Sequence, residues 1–434
     1  MSELEFHRVW DQASFHSDGW VTCSGFPLEI IYPGTYSHGE GPDFRYARLW
    51  INHHLIVTDI EIELRAENWY HHRHHLNSAY QNVRLVVVME QPVGPARLEH
   101  SLSNEPIEIL WWPEPDSIPP ETGFLSGVIC PLNQSDHAPE ETLIRLGWKR
   151  LEAKFSRFRI RYGNDKVFDE LIYQGMMEGL GYTRNQDAFL RLSSYLNLDL
   201  ICRVITAAPH EIRPFVLQAV LFRVSGWEDQ INRQAPAYMN YLRDSLARAG
   251  LKMQLPVLDL HWKLARTRPF SHPVSRMVYI SFWLSQVLPE GLTEFILSRF
   301  YQPEGGLRSR LCRALRPELS PTQRHMLSGC YYRLPDGLIG RPRIDILVFN
   351  VIMPLLWIFF SQEGMNRHRD QVVKEIEDYP LLSDNFPQSL VLERWNRLHH
   401  PGIRIRHAIQ QQGLIYIYHQ FCRQGHCEKC RIGS

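Results

Sequence analysis

The sequence predicts an α+β protein, in which an N-terminal mixed α/β domain precedes a large all-α domain. Residues 59–64 alternate acidic and apolar side chains with a period of two, and residues 83–89 form a nearly continuous apolar run. Both patterns are typical of strands. From about Glu141 onwards the chain instead has helical spacing, interrupted by short Pro/Gly breaks.

The domain boundaries follow from composition. The stretch 116–140 is rich in Pro, Ser, Gly and Asp, which is typical of a linker. It separates a predicted α/β domain, residues 1–115, from a predicted helical domain, residues 141–434. A chain of 434 residues is long enough for more than one domain, each with its own core.

Turn residues bound the predicted elements. Pro33-Gly34 follows the first strand, and Asn52-His53-His54 joins the second strand to the third. Residues 69–81 are polar and predict a loop or a short helix. The predicted strands are 28–32, 46–51, 55–64, 83–89 and 108–112. The first five predicted helices are 143–162, 166–180, 186–197, 200–207 and 212–223.

Composition argues against several classes of protein. The 47 basic and 47 acidic residues balance, which argues against coating of nucleic acid or membrane by bulk charge but leaves local basic patches open. The acidic start of the chain lacks the apolar run of a secretory signal. The most apolar stretch, 344–360, contains Asp345 and Pro354 and is predicted to be buried helix, not a membrane span. With eight mostly scattered cysteines, these features predict a cytoplasmic protein.

The acidic strand is the first candidate site. On a strand, Asp59, Glu61 and Glu63 share one face and repel one another unless a positive group lies opposite. Asp43 lies in a Gly-Pro-Asp-Phe turn before the neighbouring strand. Asp43, Glu61 and Glu63 can together hold a hard cation such as Mg²⁺ or Mn²⁺, which activates water for attack on a phosphodiester. The alternative is a solvated strand face.

Four histidines follow that strand, namely His71, His72, His74 and His75. Imidazoles at positions i and i+2 can chelate zinc, manganese or iron, and one of them can act as a general acid. His72 and His74 are the favoured pair. The alternative is that each is an ordinary surface or hydrogen-bonded histidine.

The tail carries Cys422, Cys427 and Cys430 at a spacing typical of ligands to zinc or an iron–sulfur cluster. His419, His426 or a distant cysteine would supply the fourth ligand. We expect a structural role, which fixes the C-terminus to the helical domain. The alternative is three free thiols.

A basic helix is a candidate nucleic-acid-binding surface, because such a run opposite an acidic metal site can bind phosphates. Its plainer interpretation is a solvated helix face. A second basic group contains Arg266, Arg268 and Arg276, and charge pairing within buried helices is its plainer interpretation. The residues of the basic helix are Lys149, Arg150, Lys154, Arg157 and Arg161.

The order Pro-Asp, spacer, Glu-x-(Lys or a substitute) resembles the core of the PD-(D/E)XK nuclease superfamily. The resemblance implies a restriction-endonuclease-like N-terminal domain, in which Asp43 and Glu61 carry the metal. A Lys that orients the nucleophilic water stands two residues after the Glu in that superfamily. Glu63 holds this position here.

Further motifs extend over nearly the whole chain. They are Gly41-Pro42-Asp43-Phe44, Asp59-Ile60-Glu61-Ile62, Trp69-Tyr70, the His72/His74 pair, Tyr80-Gln81-Asn82-Val83, Ala219-Val220-Leu221-Phe222, Trp262-Lys263-Leu264-Ala265-Arg266-Thr267-Arg268-Pro269 and the ending from Cys427 to Gly433. In combination they resemble an uncharacterised bacterial family, domain of unknown function 2851. That resemblance implies a bacterial cytoplasmic protein and no established activity.

These observations predict a metal-dependent, nuclease-like phosphodiesterase acting on nucleic acid. Asp43 and Glu61 would be metal ligands, Glu63 a third ligand or a water-orienting group, and His72 or His74 an acid or further ligand. One alternative is a non-catalytic module that binds nucleic acid or protein on the same fold. The other is a His/carboxylate metal enzyme acting on a small molecule. The expected cofactors are Mg²⁺ or Mn²⁺ at the acidic site and zinc or an iron–sulfur cluster at the cysteines, with the oligomeric state open.

Overall fold

The structure is a computed structural model. It describes residues 3–12, 20–37, 41–112, 140–162, 168–182, 184–251, 255–264, 271–330, 332, 334–335, 337–383, 387–389, 391–392, 405–424 and 430, except the side chains of residues 4, 12, 104, 155, 157–162 and 424.

The chain divides into two compact units, and the predicted α+β class with a large helical part is confirmed. The sheet unit consists of residues 1–148, 384–405 and 410–434, and the helical unit of residues 149–383 and 406–409. The division therefore groups late segments of the chain with the sheet, whereas the sequence predicted one helical domain from residue 141. The predicted linker lies almost wholly outside the described residues and stays a prediction.

A mixed sheet with the strand order β1-β2-β4-β5-β6-β8-β7 forms the first unit, and β3 pairs with β4 beside this path. Strand β4 runs antiparallel to β5, whereas β6 runs parallel to both β5 and β8. All five predicted strands are present. The strands are β1 (Trp20–Val21), β2 (Pro27–Tyr32), β3 (Thr35–Tyr36), β4 (Phe44–Ile51), β5 (His54–Glu63), β6 (Val83–Val88), β7 (Arg97–His100) and β8 (Ser103–Trp111).

Both faces of β5 are covered, and the period of two decides which residues each face receives. Ile60 and Ile62 pack in one apolar cluster with Phe6 and Trp10 of helix α1 (Glu3–Gln12), a helix that the sequence analysis did not predict. Glu61 and Glu63 pair in register with Val86 and Val88, which belong to the apolar cluster of the opposite face. The acidic residues are therefore buried and not solvated.

The parallel connection from β5 to β6 is short and irregular. It contains helix α2 (Asn68–His71) and the 3₁₀ turns His74–Leu76 and Ser78–Tyr80. Trp69 and Tyr80 of this connection are buried against β6 in the second apolar cluster. This structure agrees with the predicted loop or short helix. The connection holds the histidines over the acidic strand.

Late residues of the chain contact the first strands of the sheet. The hydroxyl of Tyr32 in β2 donates to the carbonyl oxygen of Cys422 at 2.9 Å. The guanidinium of Arg423 lies 4.4 Å from the ring centre of Tyr46 in β4 and donates to its hydroxyl. The predicted attachment was to the helical domain, but these contacts are with β2 and β4.

The helical unit is built around helices that are buried on all sides. In α10, Val274 to Leu284 are buried throughout, and Phe282 meets Phe215 of α7 at 5.5 Å between ring centres. The five predicted helices are confirmed, with ends displaced by a few residues. The helices from α3 to α9 are Glu140–Tyr162, Phe168–Leu180, Gln186–Tyr195, Leu198–Thr206, Arg213–Val224, Glu228–Gln234 and Pro236–Arg248. Those from α10 to α16 are Pro273–Val287, Leu292–Tyr301, Leu307–Ala314, Pro321–Ser328, Arg341–Leu347, Met353–Gln362 and Asn366–Glu377, and α17 (Ala408–Gln420) belongs mostly to the sheet unit.

A continuous helical stretch, Arg341–Gln362, joins α14 to α15 through the π-helical turn Val348–Ile352. By length and composition it could cross a membrane, but 72% of its most apolar window is buried inside the protein. A buried core helix meets the same criteria, so this observation is weak evidence for a membrane span. It agrees with the predicted buried helix.

Candidate metal centre

Asp43 and Glu61 are fixed to each other by backbone hydrogen bonds between neighbouring strands. Glu61 Oε2 accepts from the Asp43 N–H at 3.0 Å, and Asp43 Oδ2 accepts from the Ile62 N–H at 3.0 Å. Asp43 precedes β4, which runs antiparallel to β5, so the strand pairing brings the two carboxylates together. The backbone of the sheet therefore fixes the orientation of both carboxylates.

Asp59 has a different backbone partner from this pair, at a bulge in β4. The register shifts between Phe44 and Ala47, and Tyr46 adopts a left-handed φ of 61°. In this conformation the Tyr46 N–H donates to Asp59 Oδ1 at 3.0 Å. Burial raises the pKa of Asp59, while this hydrogen bond and the charge of Arg45 act in the opposite direction. Asp59 therefore has backbone partners of its own.

Glu63 receives two imidazoles from the connection after β5. His72 Nδ1 lies 2.9 Å and His74 Nε2 3.2 Å from Glu63 Oε1. Arg73, between them, has a left-handed φ of 60°, so the chain reverses after α2 and brings both rings to the same carboxylate. One ligand atom from each of Glu63, His72 and His74 lies within 4.8 Å of the others, and this group can hold a metal ion.

His74 connects the two carboxylate groups and is fixed by aromatic rings. Its Nε2 lies 3.3 Å from Glu61 Oε1 as well as near Glu63. Tyr80 stacks on the His74 ring at 4.1 Å with an interplanar angle of 27°, and the ring of buried Trp69 lies 5.6 Å away. The His74 side chain is only 13% exposed, so its position is set by packing.

Helix α1 adds two titratable residues that the sequence analysis did not select. His7 Nε2 lies 3.1 Å from Asp43 Oδ2, and Glu3, one turn earlier, lies 3.9 Å from the same nitrogen. The helical spacing of Phe6, Val9 and Trp10 could have revealed this helix. On a helix, Glu3 and His7 are four positions apart and share a face. Because no helix was predicted there, this face was missed. Tyr80 was noted within a motif but not as a neighbour of the site.

The electrostatic balance of the centre is acidic. Burial raises the pKa of Glu61 well above its ordinary value, and the charges of Asp43 and Glu63 raise it further. The pKa of Glu3 is also raised, first by burial and then by Glu63. Burial and the same negative charges raise the pKa of Tyr80. A bound cation would relieve this repulsion.

The structure thus brings Asp43, Glu61, Glu63, His72 and His74 together at one end of β5. Of the two other histidines, His71 is exposed, and His75 packs against Tyr70 with ring centres 5.0 Å apart. Their positions agree with the preference for His72 and His74 as the pair nearest the acidic strand.

The remaining predicted site residues are dispersed. In the basic helix, Lys154 donates to the carbonyl oxygen of Asn350 at 3.0 Å, Lys149 is exposed and Arg150 is half-buried. The side chains of Arg157 and Arg161 lie outside the described part of the chain, so the nucleic-acid surface stays a prediction.

The C-terminal cysteine cluster is only partly described. Cys422 and Cys430 pack in the apolar cluster that contains Leu143 and Leu414. Cys427 lies outside the described residues. The predicted zinc or iron–sulfur site therefore stays a prediction.

Comparison with known proteins identifies the family. Residues 3–106 and 133–385 match the family described as "Protein of unknown function (DUF2851)". Neither the curated proteins nor the solved structures gave a match. Because the matched residues make up most of the sequence, this chain belongs to the DUF2851 family.

Proposed function

We propose that the sheet unit is a metal-dependent phosphodiesterase that cleaves nucleic acid. The observation that carries the proposal is the meeting of Glu63, His72 and His74 within 4.8 Å, beside the interlocked pair Asp43 and Glu61. A divalent cation held there would polarise a phosphate oxygen and lower the pKa of a bound water to generate a nucleophile near neutral pH.

Each side chain has a distinct place in this proposal. Glu63, His72 and His74 hold the cation, and Tyr80 keeps the His74 ring in position by stacking. Glu61 lies 3.3 Å from His74 Nε2 and is the nearest further carboxylate, so it would accept the proton of the attacking water. Asp43, anchored by the Ile62 N–H, adds negative charge that strengthens cation binding.

The choice of nucleic acid as substrate rests on the layout of the sheet. Helix α1 precedes antiparallel strands, the Pro-Asp turn begins one of them, and the Glu-x-Glu strand passes through a short crossover to a parallel strand. This order supports the PD-(D/E)XK resemblance, which itself stays a prediction. The basic residues of α3 stay a separate prediction of a nucleic-acid-binding surface.

The donor set favours a second candidate function for the same centre. Two imidazoles with one carboxylate suit manganese, zinc or iron better than magnesium, which prefers oxygen ligands. This supports a His/carboxylate metal enzyme that acts on a small molecule. Mn²⁺ accepts both kinds of ligand and is therefore the first cation to test.

The test measures metal binding and cleavage separately on the full chain. Titration calorimetry with Mn²⁺, Zn²⁺ and Mg²⁺ gives the affinities, and end-labelled single- and double-stranded DNA and RNA oligonucleotides report cleavage. We expect Mn²⁺-dependent cleavage that falls by about 100-fold or more in Glu63→Gln and His74→Ala, because even residues that only support metal ligands are worth roughly 10- to 100-fold.

Asp59→Asn is the matched control. Asp59 lies on the same face of the same strand as Glu63, but its carboxylate accepts from the Tyr46 N–H, which an Asn oxygen can also do. Cleavage by this variant should match the unmodified chain. Metal binding without cleavage of any oligonucleotide would favour the small-molecule enzyme or the binding module, and unchanged metal affinity in Glu63→Gln would refute the metal centre.

A further inference from the structure

Two arginines are buried around one tyrosine in the helical unit. Arg276 of α10 is 3% exposed and Arg343 of α14 is 9% exposed. Their guanidinium carbons lie 4.8 Å and 3.3 Å, respectively, from the ring centre of Tyr182. We refer to Tyr182, Arg276 and Arg343 as the arginine cluster. It is formed within a single unit of the fold and is separate from the metal centre's residues.

The arginine cluster has more hydrogen-bond donors than acceptors. The Tyr182 hydroxyl accepts from Arg276 and, at 3.2 Å, from Ser271 Oγ, and Arg343 donates one N–H to the carbonyl oxygen of Gly179. Within the described part of the chain, Nε and Nη1 of Arg276 and Nε of Arg343 are buried and have no hydrogen-bond partner. Buried donors without acceptors are costly.

Neither arginine has an acidic partner among the described residues. Burial, together with the neighbouring charge of Arg276, lowers the pKa of Arg343 to about 9, and Tyr182 acts in the opposite direction. Arg266 and Arg268 lie outside the described residues, so the interpretation of this basic group as charge pairs within buried helices stays a prediction.

Both arginines also lie near helix N-termini. Arg276 is in the first turn after Pro273, and Arg343 is in the first turn of the helical stretch Arg341–Gln362. The positive ends of these helix dipoles add to the two guanidinium charges. Tyr182 is only partly buried, so the cluster borders solvent at this residue.

We propose that the arginine cluster is a binding site for a phosphate group. A phosphate dianion balances the two guanidinium charges, and its oxygens accept charge-assisted hydrogen bonds from unpartnered nitrogen atoms of both arginines. Inorganic phosphate and the phosphate monoester of a nucleotide share this chemistry. The inference goes beyond the proposed function, because it concerns a different unit and a ligand bound without being cleaved.

Equilibrium dialysis of the full chain with radiolabelled inorganic phosphate tests the site, with chloride holding the ionic strength constant. We expect saturable binding of one phosphate per chain, weakened by about tenfold or more in Arg276→Gln and in Arg343→Gln, the scale expected for lost charge-assisted hydrogen bonds. The matched control is Arg341→Gln, which removes an exposed arginine two positions from Arg343. Its affinity should equal that of the unmodified chain.

Two further measurements keep the test decisive. If either buried variant fails to fold by circular dichroism, Tyr182→Phe keeps the ring and removes only the hydroxyl, and weaker phosphate binding is again expected. Competition with AMP distinguishes the two sources of the phosphate group. Displacement of the labelled phosphate by AMP at a concentration below that of phosphate supports a nucleotide monophosphate as the ligand. Displacement only at AMP concentrations above that of phosphate supports free phosphate. Absence of saturable binding by the unmodified chain, or an equal loss in Arg341→Gln, would overturn the proposal.

Discussion

The metal centre and the arginine cluster bury opposite charges by different means. In the sheet unit, Glu61 and Glu63 are compensated by strand N–H groups and by histidines of the same unit. In the helical unit, Arg276 and Arg343 meet an aromatic ring and a carbonyl oxygen, and three of their nitrogen atoms remain without acceptors in the described residues. A sheet supplies backbone donors beside buried carboxylates, whereas helices bond most of their own backbone groups and leave buried arginines dependent on other partners.

The largest expected effects come from one glycine in each unit. A Cβ at Gly413 of α17 would overlap the backbone of Leu143, and one at Gly181 would lie 2.5–2.7 Å from backbone atoms of Asn185 and Gln186. Because backbone atoms cannot move aside cheaply, we expect Gly413→Ala and Gly181→Ala each to lower the free energy of unfolding by about 3 kcal/mol. Urea unfolding measures this.

The same pair of variants tests how separate the two regions are. Gly413→Ala should weaken Mn²⁺ binding more than phosphate binding, and Gly181→Ala should do the reverse. Gly306→Ala is the control, since a Cβ there meets no atom within 4 Å, and we expect it to cost at most about 1 kcal/mol as a helix N-cap change. Equal loss of both ligands in both variants would contradict the separation.

A smaller effect on stability is expected when the excess negative charge of the metal centre is reduced. In Glu61→Gln the amide oxygen can still accept from the Asp43 N–H, but the negative charge beside Asp43 and Glu63 is gone. We expect the metal-free chain to become more stable by about 1 kcal/mol, the common size of a single-substitution effect, because a buried repulsion is removed. Stabilisation by Mn²⁺ should fall at the same time. Thermal melting with and without EDTA checks both, and a lower melting temperature in EDTA would contradict the electrostatic account.

The smallest effect concerns a half-buried histidine whose neutral form is favoured in the folded chain. His272 Nδ1 accepts from the Val274 N–H at 3.3 Å, and burial lowers the pKa of His272 from 6.5 to about 4. The unfolded chain therefore takes up this proton near pH 6.5 and the folded chain only near pH 4, so stability falls as the pH drops between these values.

His272→Asn should make that fall shallower, because Asn can also cap the helix but does not titrate. Urea unfolding at several pH values between 7 and 4 measures the slope. His261→Asn is the matched control, since His261 is exposed and pairs with exposed Asp259. A slope that is unchanged in His272→Asn, or reduced equally in His261→Asn, would show that His272 is not the source.

Local patterns predicted much of the metal centre. The period of two placed Glu61 and Glu63 on one face, and the density of histidines selected His72 and His74. These residues lie close together in sequence, so the strand geometry and one tight turn are enough to unite them. His7 was missed because a ten-residue helix at the start has only a few apolar positions to reveal its period.

The arginine cluster could not be predicted in the same way. Tyr182 and Arg276 are 94 positions apart, and Arg343 comes from a third segment, so only the packing of three helical regions brings them together. Arg276 was noticed as one of a basic group, but nothing in the sequence shows that its acidic neighbours would be missing. Absence of a partner is a property of tertiary structure.

The hydrogen bond between Tyr32 and Cys422 joins residues that are 390 positions apart. During synthesis on a ribosome, β2 and β4 emerge long before Cys422 and Arg423, and the strand that follows Asp43 must wait for these late contacts. The sheet unit is therefore a structure of high contact order that is completed only after residue 422 has been synthesised. A nascent chain that stops before residue 422 would present β2 and β4 without these contacts.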